Sequence, residues 1–279
     1  PNGDTAFFFS DSFIAEYPEK PGDGRVYTNE NGLRMRRPNC LPPICGPAPE
    51  HIHYVYNSIV VRSKDGKAHR TLTGPKDKNG YSTAFFHPKT NDQNAMYWLG
   101  DPMLIDVNGK KKIWIFLNEW SVGRPFDKTF WIKYRGQAIA QMDAETLELE
   151  KIVDLKNKND EAVWGISLWL DGKDLYIYGM RNEGEIPDAV KSNIAVANKY
   201  KKLYIARTDA SKGLDAVTDL KNWTAWDGKK WNRNLNKRAS LIPKADSISD
   251  ELTIRRLNIN GKPTFVMVTF DTSKGYSEW

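Results

Sequence analysis

Cysteine is scarce in this chain: Cys40 and Cys45 are the only two among 279 residues. That excludes a small-domain scaffold held by several bridges. Cys40-Leu-Pro-Pro-Ile-Cys45 can close one small disulfide loop in an oxidising compartment, or stay as two thiols. No apolar run is long enough to span a bilayer. Convincing helical periodicity is missing too, with residues 186–196 the one short exception. Neither sign of charge dominates, since 41 basic residues face 35 acidic ones for a net +6. A nucleic-acid binder concentrates Lys and Arg on one face. Here the dense stretches are only Leu33-Arg-Met-Arg-Arg37 and Lys110-Lys-Lys112, the latter at a solvated hairpin tip. The chain has no P-loop, no dinucleotide glycine fingerprint and no Gly-x-Ser-x-Gly elbow. His51-Ile-His53 aligns two imidazoles on one strand face without a third ligand, so no metal or cofactor is expected.

What the chain has is short aromatic strands punctuated by tight turns. Asn2-Gly3 precedes Thr5–Phe13, and Asn108-Gly109 precedes Lys112–Trp120. Asp171-Gly172 precedes Leu175–Arg181, and Asn260-Gly261 precedes Thr264–Phe270. These dipeptides supply the positive φ angles of two-residue hairpins. Three of the turns also follow an apolar run: Pro102–Asp106, Gly165–Leu170 and Leu252–Leu257. Further strands come after the hairpins: Asn57–Val61 and His69–Thr73, Gln137–Met142 and Leu149–Val153, Lys202–Arg207 and Trp223–Trp226. A hairpin plus two outer strands is the four-stranded blade of a β-propeller. The fold expected is all-β, a single propeller domain over residues 1–279 covering about three and a half blades, with a loop insertion at 14–56. The chain opens at Pro1 in mid-hairpin and reads as a processed product, so the lack of a visible leader is uninformative.

Antiparallel pairing brings the start of each first strand beside the end of the second. Asp101 then sits with Glu119, Trp164 with Arg181, and Glu251 with Asp271, while Asp11 holds the corresponding place in the opening blade. Around a common axis these groups share one mouth. Carboxylates converging in a concavity suit glycoside hydrolysis, in which one protonates the leaving oxygen and another attacks the anomeric carbon or activates water. Arg181 and Arg255 are candidates to hold a carboxylate ionised. Of the ten tryptophans, Trp98, Trp120 and Trp164 fall beside this mouth, where an indole face can stack on a sugar. The insertion leaves the first blade on the mouth side and is expected to fold over the site. Ser63-Lys-Asp-Gly-Lys67 matches a sialidase Asp-box only at its start.

Several segments resemble bacterial propeller families long described as domains of unknown function. They are Asn2–Phe13, Asn57–Val61, Tyr97–Asp101, Trp164-Gly165 with Tyr176–Gly179, and Leu203–Arg207 with Trp223–Trp226. Those families are similar to five-bladed glycosidases, one branch of which includes endo-D-arabinofuranases. The resemblance implies a five-bladed fold, an exported location (secreted, periplasmic or cell-surface) and cleavage of a furanose-containing polysaccharide. It places Asp11 as the leading catalytic carboxylate, with Asp101 or a residue upstream of the chain as its partner. Glu119, Trp164, Arg181, Glu251, Arg255, Asp271, Trp98, Trp120 and Asn57 are expected to bind substrate. The alternative is a non-catalytic carbohydrate-binding propeller or a cell-surface adhesion module. A polysaccharide or oligosaccharide is the expected partner in the first two cases, with no nucleic acid and no membrane span.

Overall fold

The computed structural model describes residues 3–15, 26–28, 34–36, 52–67, 69–78, 80–92, 94–123, 131–156, 162–182, 201–242 and 248–271. The candidate helix at 186–196, Cys40, Cys45 and His51 lie outside them. The described residues are mostly β-strand in antiparallel sheets, with only single-turn helices between strands. The chain divides into two compact units, Thr5–His87 and Pro88–Trp279 with Pro1–Asp4.

In the first unit β1 (Thr5–Phe9) is followed by β2 (Ser12–Ala15), β3 (Val26–Thr28), β4 (Arg34–Arg36), β5 (Ile52–Val55), β6 (Ser58–Arg62) and β7 (His69–Leu72). The order β1-β6-β7 forms one sheet, β2 pairs with β5, and β3 pairs with β4. The expected insertion therefore leaves and returns through a β2–β5 ladder, with Ile14 opposite His53.

The second unit holds three sheets in succession. The first runs β8 (Ala95–Val107), β9 (Lys110–Gly123), β10 (Trp131–Asp143) and β11 (Leu149–Asp154). The next comprises β12 (Val163–Asp171), β13 (Asp174–Asn182), β14 (Lys201–Asp209), β15 (Thr224–Trp226) and β16 (Trp231–Asn232). The last is the pair β17 (Ile248–Ile259) and β18 (Lys262–Asp271). Each sheet is a meander in which chain neighbours are sheet neighbours. The hairpin tips turn as the dipeptides require, with φ of 54° and 77° at Asn108-Gly109 and 53° and 77° at Asn260-Gly261.

The middle sheet is buried on both faces, which explains the nearly unbroken apolar run of β13. On one face Trp164, Leu168, Leu175, Ile177, Tyr204 and Ala206 pack with Ile105, Trp114, Phe116 and Ile139 of the β8–β11 sheet. On the other, Tyr178, Met180 and Leu203 pack with Ile248, Leu252 and Ile254 of β17. The leading strands β8, β12 and β17 thus lie side by side. Each leading strand breaks register with its partner at one place: between Leu99 and Pro102, between Trp164 and Ser167, and between Ile248 and Leu252. Bulges of this kind bend a strand and re-aim its side chains. Strand β8 consequently runs through Asp101-Pro102 and starts earlier than the sequence indicates. At the β8–β12 contact the backbones approach so closely that a Cβ on Gly100 would stand 2.4 Å from the Gly165 carbonyl oxygen. Gly165 itself has φ +80°, and a Cβ there would meet Phe116 Cγ at 2.1 Å.

Candidate functional site

Asp101 is carried on the bulge of β8 and points at the two neighbouring leading strands. Its Oδ2 accepts from Leu168 N–H at 2.9 Å and from Arg255 Nη1 at 2.8 Å, and lies 3.4 Å from Ser167 Oγ. Oδ1 accepts from Arg255 Nη2 at 2.9 Å, completing a bidentate pair. The Asp101 side chain is 11% exposed against 48% for Arg255. Ser167 extends the link, since its Oγ donates to the Ile254 carbonyl at 3.2 Å and accepts from Ile254 N–H at 3.0 Å. Sequence reasoning brought Asp101 and Arg255 to the site but missed Ser167, whose only signal was its place just past the Gly165 bulge.

The expected pairs of Asp101 with Glu119 and of Trp164 with Arg181 are not formed: Asp101 lies in the bulge beyond Leu99–Leu117, and Trp164 pairs with Gly179. Glu119 lies opposite Tyr97, Arg181 opposite Lys202 and next to the Met180–Val163 pair, and Asp271 opposite Ile248. Burial, and then the Glu119 carboxylate, push the Tyr97 phenol above its ordinary range. Glu251 is exposed and falls within the β17 irregularity, with its N–H on Ser249 Oγ at 3.1 Å. Asp92, just ahead of β8, accepts from the Ser121 hydroxyl and from Asn94 N–H at 2.9 Å. Those bonds, Ser121 foremost, hold its carboxyl below the usual range.

Trp98 and Trp120 form an aromatic cluster with Tyr134, a residue the sequence did not single out. The centroids are 5.4 Å apart for Trp98–Trp120 and 5.2 Å for Trp120–Tyr134, and all three side chains are half-buried. Trp120 Nε1 is buried without a hydrogen-bond partner, as is Thr269 Oγ1. Both lie near the end of the second strand of their hairpins, β9 and β18. Buried donors without acceptors are rare enough to call for a water or a ligand group.

Two expected binding residues have structural places instead. Trp164 is 1% exposed, packs edge-on against Trp223 at 5.6 Å, and presents no wall to solvent. Its burial follows from the bulge at Gly165, which turns the indole into the core between two sheets. Asn57 is fully buried and clamps the backbone of Phe86, donating from Nδ2 to its carbonyl at 3.0 Å and accepting its N–H on Oδ1 at 2.7 Å. Gln137 grips Trp164 in the same way, donating to its carbonyl at 2.7 Å and accepting its N–H at 3.1 Å.

Asp11 belongs to the first unit. It is exposed, in the turn joining β1 to β2. Ser12 Oγ beside it donates to the Ser10 carbonyl at 2.7 Å and accepts from Ser58 Oγ at 3.0 Å, which ties the turn to β6. The Asp65 loop matches the Asp-box start only as a tight turn, with Ser63 Oγ donating to Asp65 at 2.6 Å. Among the described residues no cluster of His, Cys, Asp and Glu is arranged to hold a metal ion. No described helix is long and apolar enough to cross a membrane.

These features define an all-β protein of successive antiparallel meanders whose leading strands are tied by one carboxylate. Residues 48–258 match the model of the family described as Domain of unknown function (DUF5005), and the chain belongs to that family. No curated protein and no solved structure matches it.

Proposed function

We propose that the successive sheets are blades of a five-bladed propeller and that the protein is an exported glycoside hydrolase acting on a furanose-containing, arabinan-like polysaccharide. One observation carries this reading: the leading strands of three successive sheets abut, and each bulges at one place. That arrangement is what blades around an axis require. It puts Asp101, Glu119, Arg181 and Glu251 at corresponding strand positions, with the Trp98–Trp120–Tyr134 cluster alongside.

In this reading Asp11 is a catalytic carboxylate. It is exposed, and the Ser10–Ser12–Ser58 hydrogen bonds fix its turn. Asp101 is engaged by Leu168 N–H and by both Arg255 Nη atoms, which ties it to the neighbouring strands. The half-buried indoles of Trp98 and Trp120 supply apolar faces for sugar rings, and the unpaired Trp120 Nε1 supplies a donor for a hydroxyl.

The test is a polysaccharide panel that includes arabinans, assayed for newly formed reducing ends. Release from an arabinofuranose polymer is expected. Saturable binding without release would favour the non-catalytic carbohydrate-binding alternative.

A further inference from the structure

The outer edge of the middle sheet carries a closed loop with an unbalanced charge. The loop leaves β15 at Trp226 and returns at Ala239, whose N–H donates to the Trp226 carbonyl at 2.8 Å. Compact surface loops with joined ends often carry function. Residues 226–239 hold Lys229, Lys230, Arg233, Lys237 and Arg238 against one acid, Asp227, a net +4 where the whole chain has +6. Lys229, Lys230, Arg233 and Lys237 are exposed. Among the described residues none of these four enters an ion pair. Lysines at the hairpin tips differ, since Lys111 meets Asp106 at 3.1 Å and Lys173 meets Asp209 at 3.3 Å.

The loop is braced from within, so its cations stand on a fixed frame. Asp227 Oδ1 accepts from Lys229 N–H at 3.0 Å and Lys230 N–H at 2.9 Å, and Oδ2 accepts from Asn232 Nδ2 at 3.1 Å. The one carboxylate is thus engaged by the turn it shapes. Asn232 Oδ1 accepts from Asn234 N–H at 2.9 Å, and Asn234 Oδ1 from Asn236 N–H at 3.1 Å. Leu235 anchors the loop in the core. Arg238 holds it as well, lying 5.0 Å over the Tyr204 ring and donating to the Leu235 carbonyl at 3.2 Å.

We infer that this loop binds an anionic polysaccharide, one whose sugars carry carboxylate groups among their hydroxyls. Lys229, Lys230, Arg233 and Lys237 take the carboxylates. The exposed amides of Asn234 and Asn236 serve the hydroxyls, Asn234 through Nδ2 because its Oδ1 is committed to the loop. A neutral glycan would leave the four cations without counter-charge. A nucleic acid calls for a broader basic face than one loop, and the rest of the chain nearly balances its charge. Cations on a braced frame also lose less freedom when a ligand arrives. The loop joins the sheet at β15 and β16, the opposite end of the order β12-β13-β14-β15-β16 from the strand that Asp101 contacts. The inference therefore stands apart from the cleavage reading and does not depend on it.

Isothermal titration with polygalacturonate, its methyl-esterified neutral form and a DNA duplex tests it. The parent is expected to bind polygalacturonate, more weakly as salt rises, and to bind the esterified polymer far less. Two double variants locate the contact. Lys229→Gln/Arg233→Gln should weaken binding at least about fivefold, while Lys110→Gln/Lys262→Gln, which removes the same charge from two hairpin tips, should stay within about twofold. Both should keep the parent's far-UV circular dichroism. A parent that ignores polygalacturonate, or binds the esterified form equally well, would overturn the inference. So would equal losses in the two variants, or tighter binding of the duplex, which would point to nucleic acid.

Discussion

Asp101 and Arg255, 154 positions apart in sequence, meet in a bidentate ion pair that joins β8 to β17 beside β12. The carboxylate is nearly enclosed and the guanidinium half-exposed, so the two partners differ in what their loss should do. Asp101→Ala leaves Arg255 able to reach solvent but strands the buried Leu168 N–H. A loss of about 2–3 kcal/mol is expected, readable as a shift of the urea midpoint. Arg255→Lys should recover only part of the stability of Arg255→Ala, because an ammonium cannot span both oxygens.

Gly165 gives a second prediction. With φ +80° and Phe116 in the way of any Cβ, Gly165→Ala combines backbone strain with a clash in the core. The cost should exceed about 3 kcal/mol, against roughly 1 kcal/mol for Gly172→Ala, where φ is +58° and the space is open. Equal melting shifts for the two variants would contradict the close approach of β8 and β12.

The Asn57 clamp is a third. Asn57→Ala leaves the backbone N–H and carbonyl of Phe86 without their partner, at an expected cost of about 2–4 kcal/mol. Asn57→Asp should be no better, since a carboxylate cannot donate to the carbonyl. Thermal melts of the two variants against the parent decide it.

Acid and base should act through Lys112, which bridges Asp143 at 2.8 Å and Glu150 at the hairpin-tip end of the β8–β11 sheet. The lysine hydrogen bond is the main cause that holds both carboxyls below their ordinary values, and the two carboxylates in turn raise the lysine. A depressed carboxyl stabilises the fold above its unfolded pKa of about 4 and loses that contribution as pH falls toward the folded value. The raised lysine contributes below about 10.4 and loses it as pH climbs through the folded value. Lys112→Met should therefore be less stable than the parent at neutral pH, with the gap closing in strong acid and again in strong base. Denaturant melts between those limits would show it; a gap independent of pH would contradict the coupling.

Much of this architecture was legible in the residues themselves. The dipeptides at 108–109, 171–172 and 260–261 announced three hairpins; both residues have positive φ at 108–109 and 260–261, whereas at the second hairpin Asp171 still pairs with Asp174 and only Gly172 has positive φ. The bulges were not legible, because nothing in Gly100-Asp101 or Gly165-Ile166 distinguishes an interrupted ladder from a strand end. That is why β8 begins seven residues ahead of Pro102, at Ala95, and why Trp164 turned inward when its position suggested a wall. Residue type alone also hid the amide clamps: Asn57 and Gln137 resemble any strand-flanking amide until their backbone partners are seen. Asp101 was found by position, but its ties to Ser167 and Ile254 needed the packing of separate sheets.

Catalysis by a carboxylate is tested most directly at Asp11. Purified parent and Asp11→Asn, matched in melting temperature, would be incubated with arabinan and the reducing ends counted over time. The account predicts steady release by the parent and at least a 10²-fold slower rate in the variant, on the scale of a lost acid–base group. Undiminished release by Asp11→Asn would contradict it.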